Sequence, residues 1–312
     1  MQMKTDLQKS SEKIKQEAAK LGFTDCKIAP VHYLANDAKQ LKQWLSAGMH
    51  ASMRYMENHF EKRTDPGKLV AGAKSVIVLL LNYFPPEKQS NKDKLVVSKY
   101  AYGRDYHKVI KAMLNKLQQT IRNEIVSHEG RVFVDSAPVL ERAWAARAGA
   151  GWVGKNANLI SPEHGSFVFI GELIIDVGLA YDKPIKDFCG SCTKCIEACP
   201  TNAILSPKII DSRRCISYWT IEHKGPIPET FRKKFNNGIF GCDICQDVCP
   251  WNNKVKPHNI DDFLPSPDLM AMTKKVWQDL SEDTFNRLFK KSAIKRVKYS
   301  GLRRNIRFVA GY

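Results

Sequence analysis

Eight of the nine cysteines stand between Cys189 and Cys249. The first run, Cys189-Gly-Ser-Cys192-Thr-Lys-Cys195-Ile-Glu-Ala-Cys199-Pro200, reads C-x2-C-x2-C-x3-C-P. The second is split: Cys215 stands alone, and Cys242-Asp-Ile-Cys245-Gln-Asp-Val-Cys249-Pro250 closes the set. Each iron of a four-iron cubane wants one soft thiolate. Three close cysteines wrap three corners and a distant one closes the fourth. In runs of this spacing the fourth cysteine serves the other cluster. The expected sites are Cys189, Cys192, Cys195 and Cys249 for one [4Fe–4S] cluster, and Cys199, Cys215, Cys242 and Cys245 for the other. Zinc is the alternative, since CxxC pairs also hold zinc, but it gives no reason for two runs that each end in Cys-Pro. The opening residues Met1-Gln-Met-Lys-Thr-Asp6 hold no apolar signal core, so the thiols are expected in a reducing cytoplasm rather than in disulfides.

These ligands need a scaffold. A length of 312 residues and an apolar fraction of 43% suit about two domains with ordinary cores. Apolar spacing predicts a helix over 7–21, stopped by Gly22, and a longer amphipathic one over 106–126. Val76-Ile-Val-Leu-Leu-Leu81 reads as a buried strand. Further strands are expected at 131–134, 157–160 and 167–176, where Gly171, Glu172, Asp176 and Gly178 interrupt the longest candidate membrane stretch. Asp135 follows the strand at 131–134. Ser136 is the expected N-cap and Pro138 a first-turn residue of a helix running through Ala148. The division is therefore an α/β (α+β) domain over 1–183, a two-cluster ferredoxin-like module over 184–256, and a short helical segment over 257–312.

Three features invite over-reading. Gly149-Ala-Gly151-Trp-Val-Gly154 spells GxGxxG, but helix precedes it and strand follows, the reverse of a nucleotide site, so a tight turn is expected. Asp135 and His107 are each read from the residues alone as structural, Asp135 as a turn residue despite its place at a strand end. Cys26, far from the other cysteines, reads as a small buried hydrophobe.

The charge points outward. Net charge is +17, and from Arg287 to Tyr312 there are nine basic residues and no acidic one. An unbalanced run of this kind, interleaved with Tyr299 and Leu302, predicts contact with a nucleic-acid backbone. The expected contacts are Lys290, Lys291, Lys295, Arg296, Lys298, Arg303 and Arg304.

Several segments together resemble the epoxyqueuosine reductase family. They are Glu61-Lys-Arg63-Thr-Asp-Pro66, Tyr102-Gly-Arg-Asp-Tyr-His107, Val134-Asp135-Ser-Ala-Pro-Val-Leu-Glu-Arg142, Ala148-Gly-Ala-Gly-Trp-Val-Gly-Lys-Asn156, both cysteine runs, and Gly301-Leu-Arg-Arg-Asn305. The resemblance implies a cobalamin cofactor held without a histidine ligand, besides the two clusters. It implies reduction of epoxyqueuosine to queuosine at the wobble position of tRNA, the last step of queuosine biosynthesis. Electrons are implied to run from an external donor through one cluster, then the other, to cobalt. Asp135 matches the proton donor; Arg63, Asp243 and Ile244 match cobalamin contacts, and Ser98, Leu159 and Ile170 are added as lining residues. Burial under the corrin is expected to keep the Asp135 carboxyl protonated. A monomer without a membrane span is implied. Many members continue into a helical-repeat tail that grips the tRNA; here the sequence stops at Tyr312, so the basic segment is expected to carry more of that contact. Two rivals stand beside this reading: a corrinoid reductive dehalogenase acting on a small molecule, and a plain electron-carrying ferredoxin. The first gives no reason for the basic run, the second none for the residues before the clusters.

Overall fold

The computed structural model describes residues 2–89 and 94–311; Met1 and Tyr312, the outer ends of the first and third expected segments, lie outside them. Its centre is a four-stranded antiparallel sheet in the order Asp25–Pro30, Ser75–Asn82, Val168–Ile175, Gly130–Phe133. Every residue of Ser75–Asn82 is buried, as a run of Val, Ile and Leu between two paired neighbours demands.

Helices cover both faces. On one, Gln2–Lys20 and Tyr106–Glu124 pack Ile14, Ile110, Leu114 and Leu117 against Ile77, Leu79 and Leu173. On the other, the short helix Glu141–Ala148 presses Ala143, Trp144 and Ala148 onto Val76, Val78 and Ile174. Ser136 does not cap that helix. Residues 135–140 run as a loop and the helix starts later, because Asp135 leaves its strand with φ +51 and Val139 tucks into the core first. The helix ends on Gly149, whose φ of +81 and close approach to the Lys183 carbonyl exclude a side chain. The glycine-rich segment thus makes a tight turn into the paired strands Trp152–Val153 and Leu159–Ile160.

The cysteine-bearing stretch is mostly turns and short helices, as ligand loops are. A polar clamp fixes it to the end of the central strands. Gln246 donates to the Ser166 carbonyl (2.9 Å), Asn252 donates to the Ser166 hydroxyl (2.9 Å), and the Ser166 amide donates back to Asn252 (2.7 Å). Behind it, strand Gly238–Phe240 pairs in parallel with Val96–Val97. The C-terminal helices close over this pair. Trp277, Phe285, Ile294, Leu302 and Ile306 share one core with Val97, Ile239 and Phe240. Their starts are written locally: Ser266, Thr273, Ser281 and Ser292 each accept a backbone N–H from the first turn. Among the described residues no helix is long and apolar enough to cross a membrane.

Candidate functional site

A cavity of about 1530 Å³ opens between the sheet domain and the cysteine loops. Ordinary small-ligand pockets span roughly 300–1,000 Å³, so this one suits a large cofactor together with a substrate. Its walls are chemically different.

One wall carries thiols. Cys199, Cys215, Cys242 and Cys245 line the cavity; Cys189, Cys192, Cys195 and Cys249 do not. Most of the interactions among the thiols fall within these two groups, with Cys195 acting on Cys245 as the one that crosses between them among the groups whose shifts are clear. Burial raises the Cys195 thiol, and the other thiols acting on it are Cys189, Cys249 and Cys192. Burial pushes Cys242 up to about 12, with Cys215 and Cys199 acting on it. Thiols so disfavoured as bare thiolates suit a cationic iron core that would pay their desolvation. The donor set and its crossed grouping fit two clusters. The group away from the cavity sits beside exposed Phe188, with the Trp152 indole N–H donating to the Cys189 sulfur (3.4 Å).

The loop between Cys242 and Cys245 is pinned by its own aspartate. Asp243 accepts from the Ser98 hydroxyl, from the Lys99 amide (2.8 Å) and from the Lys99 ammonium (3.3 Å), which also reaches Asp247 at 2.7 Å. Gly241 has φ +71, and a side chain there would strike Ser98. Ser98 and Ile244 line the cavity, while Asp243 holds the loop from behind. Arg63 also lines it, spending its guanidinium on the carbonyls of Tyr55 (2.7 Å) and Asn58 (3.2 Å). Leu159 and Ile170 lie in the apolar core around Trp144.

A second wall, at Asp135, is backed by groups that carry protons. Asp105 caps the helix Tyr106–Glu124 by accepting the His107 amide (3.1 Å), and the same carboxylate accepts from His107 Nδ1 at 2.7 Å. The cap thereby aims the first two helical side chains at Asp135. His107 Nε2 stands 3.0 Å from the Asp135 carboxylate, and the Tyr106 hydroxyl donates to the same oxygen. Tyr106 is stacked flat on Phe169 at 4.3 Å. Burial opposes a charge on His107, but Asp105 and Asp135 outweigh it and raise the imidazole to about 9. Burial pushes Asp135 upward, yet the hydrogen bonds of His107 and Tyr106 and the imidazolium charge hold it below the usual carboxylate range. These residues thus favour the ionised Asp135 carboxylate and the protonated His107 imidazole one hydrogen bond away. His107 is no isolated structural histidine. A histidine two residues after an Asp N-cap was the signal available, but its second partner lies 28 residues on and only the fold supplies it.

Two further carboxyls escaped sequence reasoning. Glu141 lines the cavity and accepts the Asp135 backbone N–H. Glu172 is fully buried in the strand Val168–Ile175, opposite Phe133, where its carboxyl meets only that of Glu141 and no donor satisfies its oxygens. A buried polar group left so costs about 1–3 kcal/mol. Glu172 reads in the sequence only as an interruption of an apolar run, and that oddity was its signal.

The basic run divides. Arg304 turns inward and donates to the carbonyls of Trp219 (2.9 Å), His223 (2.6 Å) and Gly225 (2.8 Å), satisfying the π-helical turn Tyr218–Glu222 and its exit. Arg303 donates to the Gln278 carbonyl. Arg296 lines the cavity and pairs with Glu222 at 2.7 Å. Lys290, Lys291, Lys295 and Lys298 are exposed. Cys26 is buried in the sheet core, as its isolation predicted.

Residues 63–136 match the family described as "Epoxyqueuosine reductase QueG, DUF1730", and residues 188–252 match "4Fe-4S double cluster binding domain". The epoxyqueuosine reductase of Cellulophaga algicola is 54% identical over 302 residues, covering 97% of this chain and 98% of the relative. A crystal structure of an epoxyqueuosine reductase with a tRNA-Tyr epoxyqueuosine-modified stem loop superposes with TM-score 0.88 at 29% identity, over 95% of this chain and 80% of that one. The Bacillus subtilis enzyme gives the same values in a structure described as having its aspartate catalytic loop swung out of the active site.

Proposed function

The chain belongs to the epoxyqueuosine reductase family, and we propose that its cavity is where the epoxide of epoxyqueuosine, at the wobble position of tRNA, becomes the cyclopentene of queuosine. The observation that carries this reading is the meeting, in one cavity, of Cys199, Cys215, Cys242 and Cys245 with Asp135, which His107 and Tyr106 hold from behind the lining. Removing the epoxide oxygen as water takes two electrons and two protons, and the two walls hold groups for both.

Cys189, Cys192, Cys195 and Cys249 would hold the outer [4Fe–4S] cluster, and Cys199, Cys215, Cys242 and Cys245 the inner one. Arg63, Ser98 and Ile244 would contact a cobalamin in the cavity, with Asp243 keeping the ligand loop in place behind them. When bound, the clusters supply one-electron transfer from an external donor and the cobalamin supplies a strongly reducing cobalt. The volume of the cavity supports a cofactor of that size.

Asp135 delivers the proton to the leaving oxygen, receiving it from the His107 imidazolium across their hydrogen bond. Tyr106 orients the carboxylate, and Asp105 holds the imidazole in its doubly protonated form. The swung-out aspartate loop of the Bacillus subtilis relative supports Asp135, in its loop after Val134, as the residue that closes onto substrate.

The partner is the anticodon arm of queuosine-type tRNA, in keeping with the stem loop held by a solved relative. Lys290, Lys291, Lys295 and Lys298 contact its backbone, and Arg296 carries the basic run to the cavity. Residues 1–183 form the cobalamin and substrate domain, 184–256 the cluster module and 257–312 the basic cover; the protein acts as a cytoplasmic monomer.

The test is single-turnover reduction of epoxyqueuosine-modified tRNA by Asp135→Asn protein matched to the parent in iron and corrinoid. A rate loss of about 10²–10⁴ is expected, the range of general acid catalysis. A parental rate in the matched sample removes Asp135 from the mechanism.

A further inference from the structure

Loss of an epoxide oxygen as water consumes two protons: one as the first C–O bond opens to a hydroxyl, a second as that hydroxyl departs. The Asp135–His107 pair accounts for one. We propose that Glu141 is the second proton donor of this cavity, and that Glu172 is the positioning residue whose neutral carboxyl hydrogen-bonds the Glu141 carboxylate as it forms. The inference rests on the cavity being the reaction site.

Geometry carries it. Glu141 opens the helix Glu141–Ala148, reaches the cavity beside Asp135, and has one oxygen fixed by the Asp135 backbone N–H. Its carboxyl meets that of Glu172, which is fully buried and receives no hydrogen bond from any other group. An apolar strand gains nothing from such a residue, and two carboxyls that meet, one of them fully buried, do not both ionise. The charged groups facing the pair are Asp135 and His107 across the cavity wall and Arg142 on the same helix, which donates to the Ala157 carbonyl. Burial first, and then the Asp135 charge, push Glu141 up to about 8, so it holds its proton at neutral pH. Burial and the Glu141 neighbour keep Glu172 neutral.

The balance closes. The imidazolium of His107 passes one proton through Asp135 to the opening oxygen; Glu141 gives the other to the departing hydroxyl, releasing water. The two electrons come from the external donor. The site is left with neutral His107 and a Glu141 carboxylate bonded by Glu172–OH, and solvent restores both protons after product leaves.

The test compares Glu141→Gln, Glu172→Leu and Glu172→Gln by single-turnover rate against pH and by infrared titration of the resting proteins. Glu141→Gln should slow turnover by about 10²-fold and abolish a protonated-carboxyl band that titrates near pH 8 in the parent. Glu172→Leu should melt no lower than the parent, yet react about tenfold more slowly at pH 7 with its alkaline limb moved to higher pH. Glu172→Gln, which keeps a hydrogen-bond donor, should restore most of that rate. A Glu141→Gln profile that superimposes on the parent's, or a band indifferent to Glu141→Gln, overturns the proposal. The infrared comparison needs neither turnover nor Glu172→Leu to fold. If Asp135→Asn is slow while Glu141→Gln is not, this inference alone fails; if both react at the parental rate, the cavity assignment fails with it.

Discussion

The cavity's two walls were built by opposite means. The thiol wall comes from one stretch of chain, Cys199 to Cys245, which is held to the sheet by Gln246 and Asn252. The proton wall comes from a helix start, a strand end, a second helix start and a sheet interior, at Tyr106, His107, Asp135, Glu141 and Glu172. Metal ligands must satisfy a fixed small polyhedron, so their spacing is stored locally. A proton relay needs only that each group reach the next, so its members can be scattered and the fold must gather them.

The largest expected effect is on the thiol wall. Cys199→Ser should lower iron from about eight to about four per chain and abolish turnover. Adding Cys245→Ser should remove no more iron, whereas adding Cys192→Ser should remove the rest. If Cys199 instead belonged with Cys189, Cys192 and Cys195, those two double variants would exchange results.

On the proton wall a single substitution should retune rather than empty the site. The His107 imidazole is raised to about 9 in the fold against an ordinary 6.5. Its contribution to stability is thus complete below 6.5 and lost as pH rises through about 9. Thermal midpoints across that window should fall in the parent and stay flatter in His107→Gln, with turnover declining over the same window. Equal slopes in the two proteins would show that His107 is neutral in the fold.

The smallest effects should separate the halves of the basic run. Replacing Lys290, Lys291 and Lys295 together by alanine should leave the melting temperature unchanged and reduce the salt slope of tRNA binding by about 2. Arg304→Met should do the reverse, costing about 1–3 kcal/mol of stability through the carbonyls it abandons while leaving the slope intact. Matching behaviour of the two variants would dissolve the distinction between surface and interior charge.

The same contrast explains what could be read in advance. The buried strand at Ser75–Asn82, the helix from 106 and the double-cluster cysteine pattern are patterns of neighbouring residues, and they were legible. The start of the helix at Glu141 was not, since Ser136 and Pro138 are good first-turn residues that lose to the packing of Val139. That Arg304 turns inward was also hidden, because its partners are carbonyls of a turn some 80 residues earlier. Which cluster group faces the cavity depends on how the module docks, and no spacing records that.

Asp135 sits at φ +51, where aspartate and asparagine are the side chains most easily borne after glycine. This restricts which acid can occupy the position. Glutamate has a similar acidity and a longer reach, but it is borne less easily than aspartate in the left-handed region. The identity of the acid is thus set twice over, once by the proton it must carry and once by the bend it must occupy. Asp135→Glu should fail for the second reason even where the first is met.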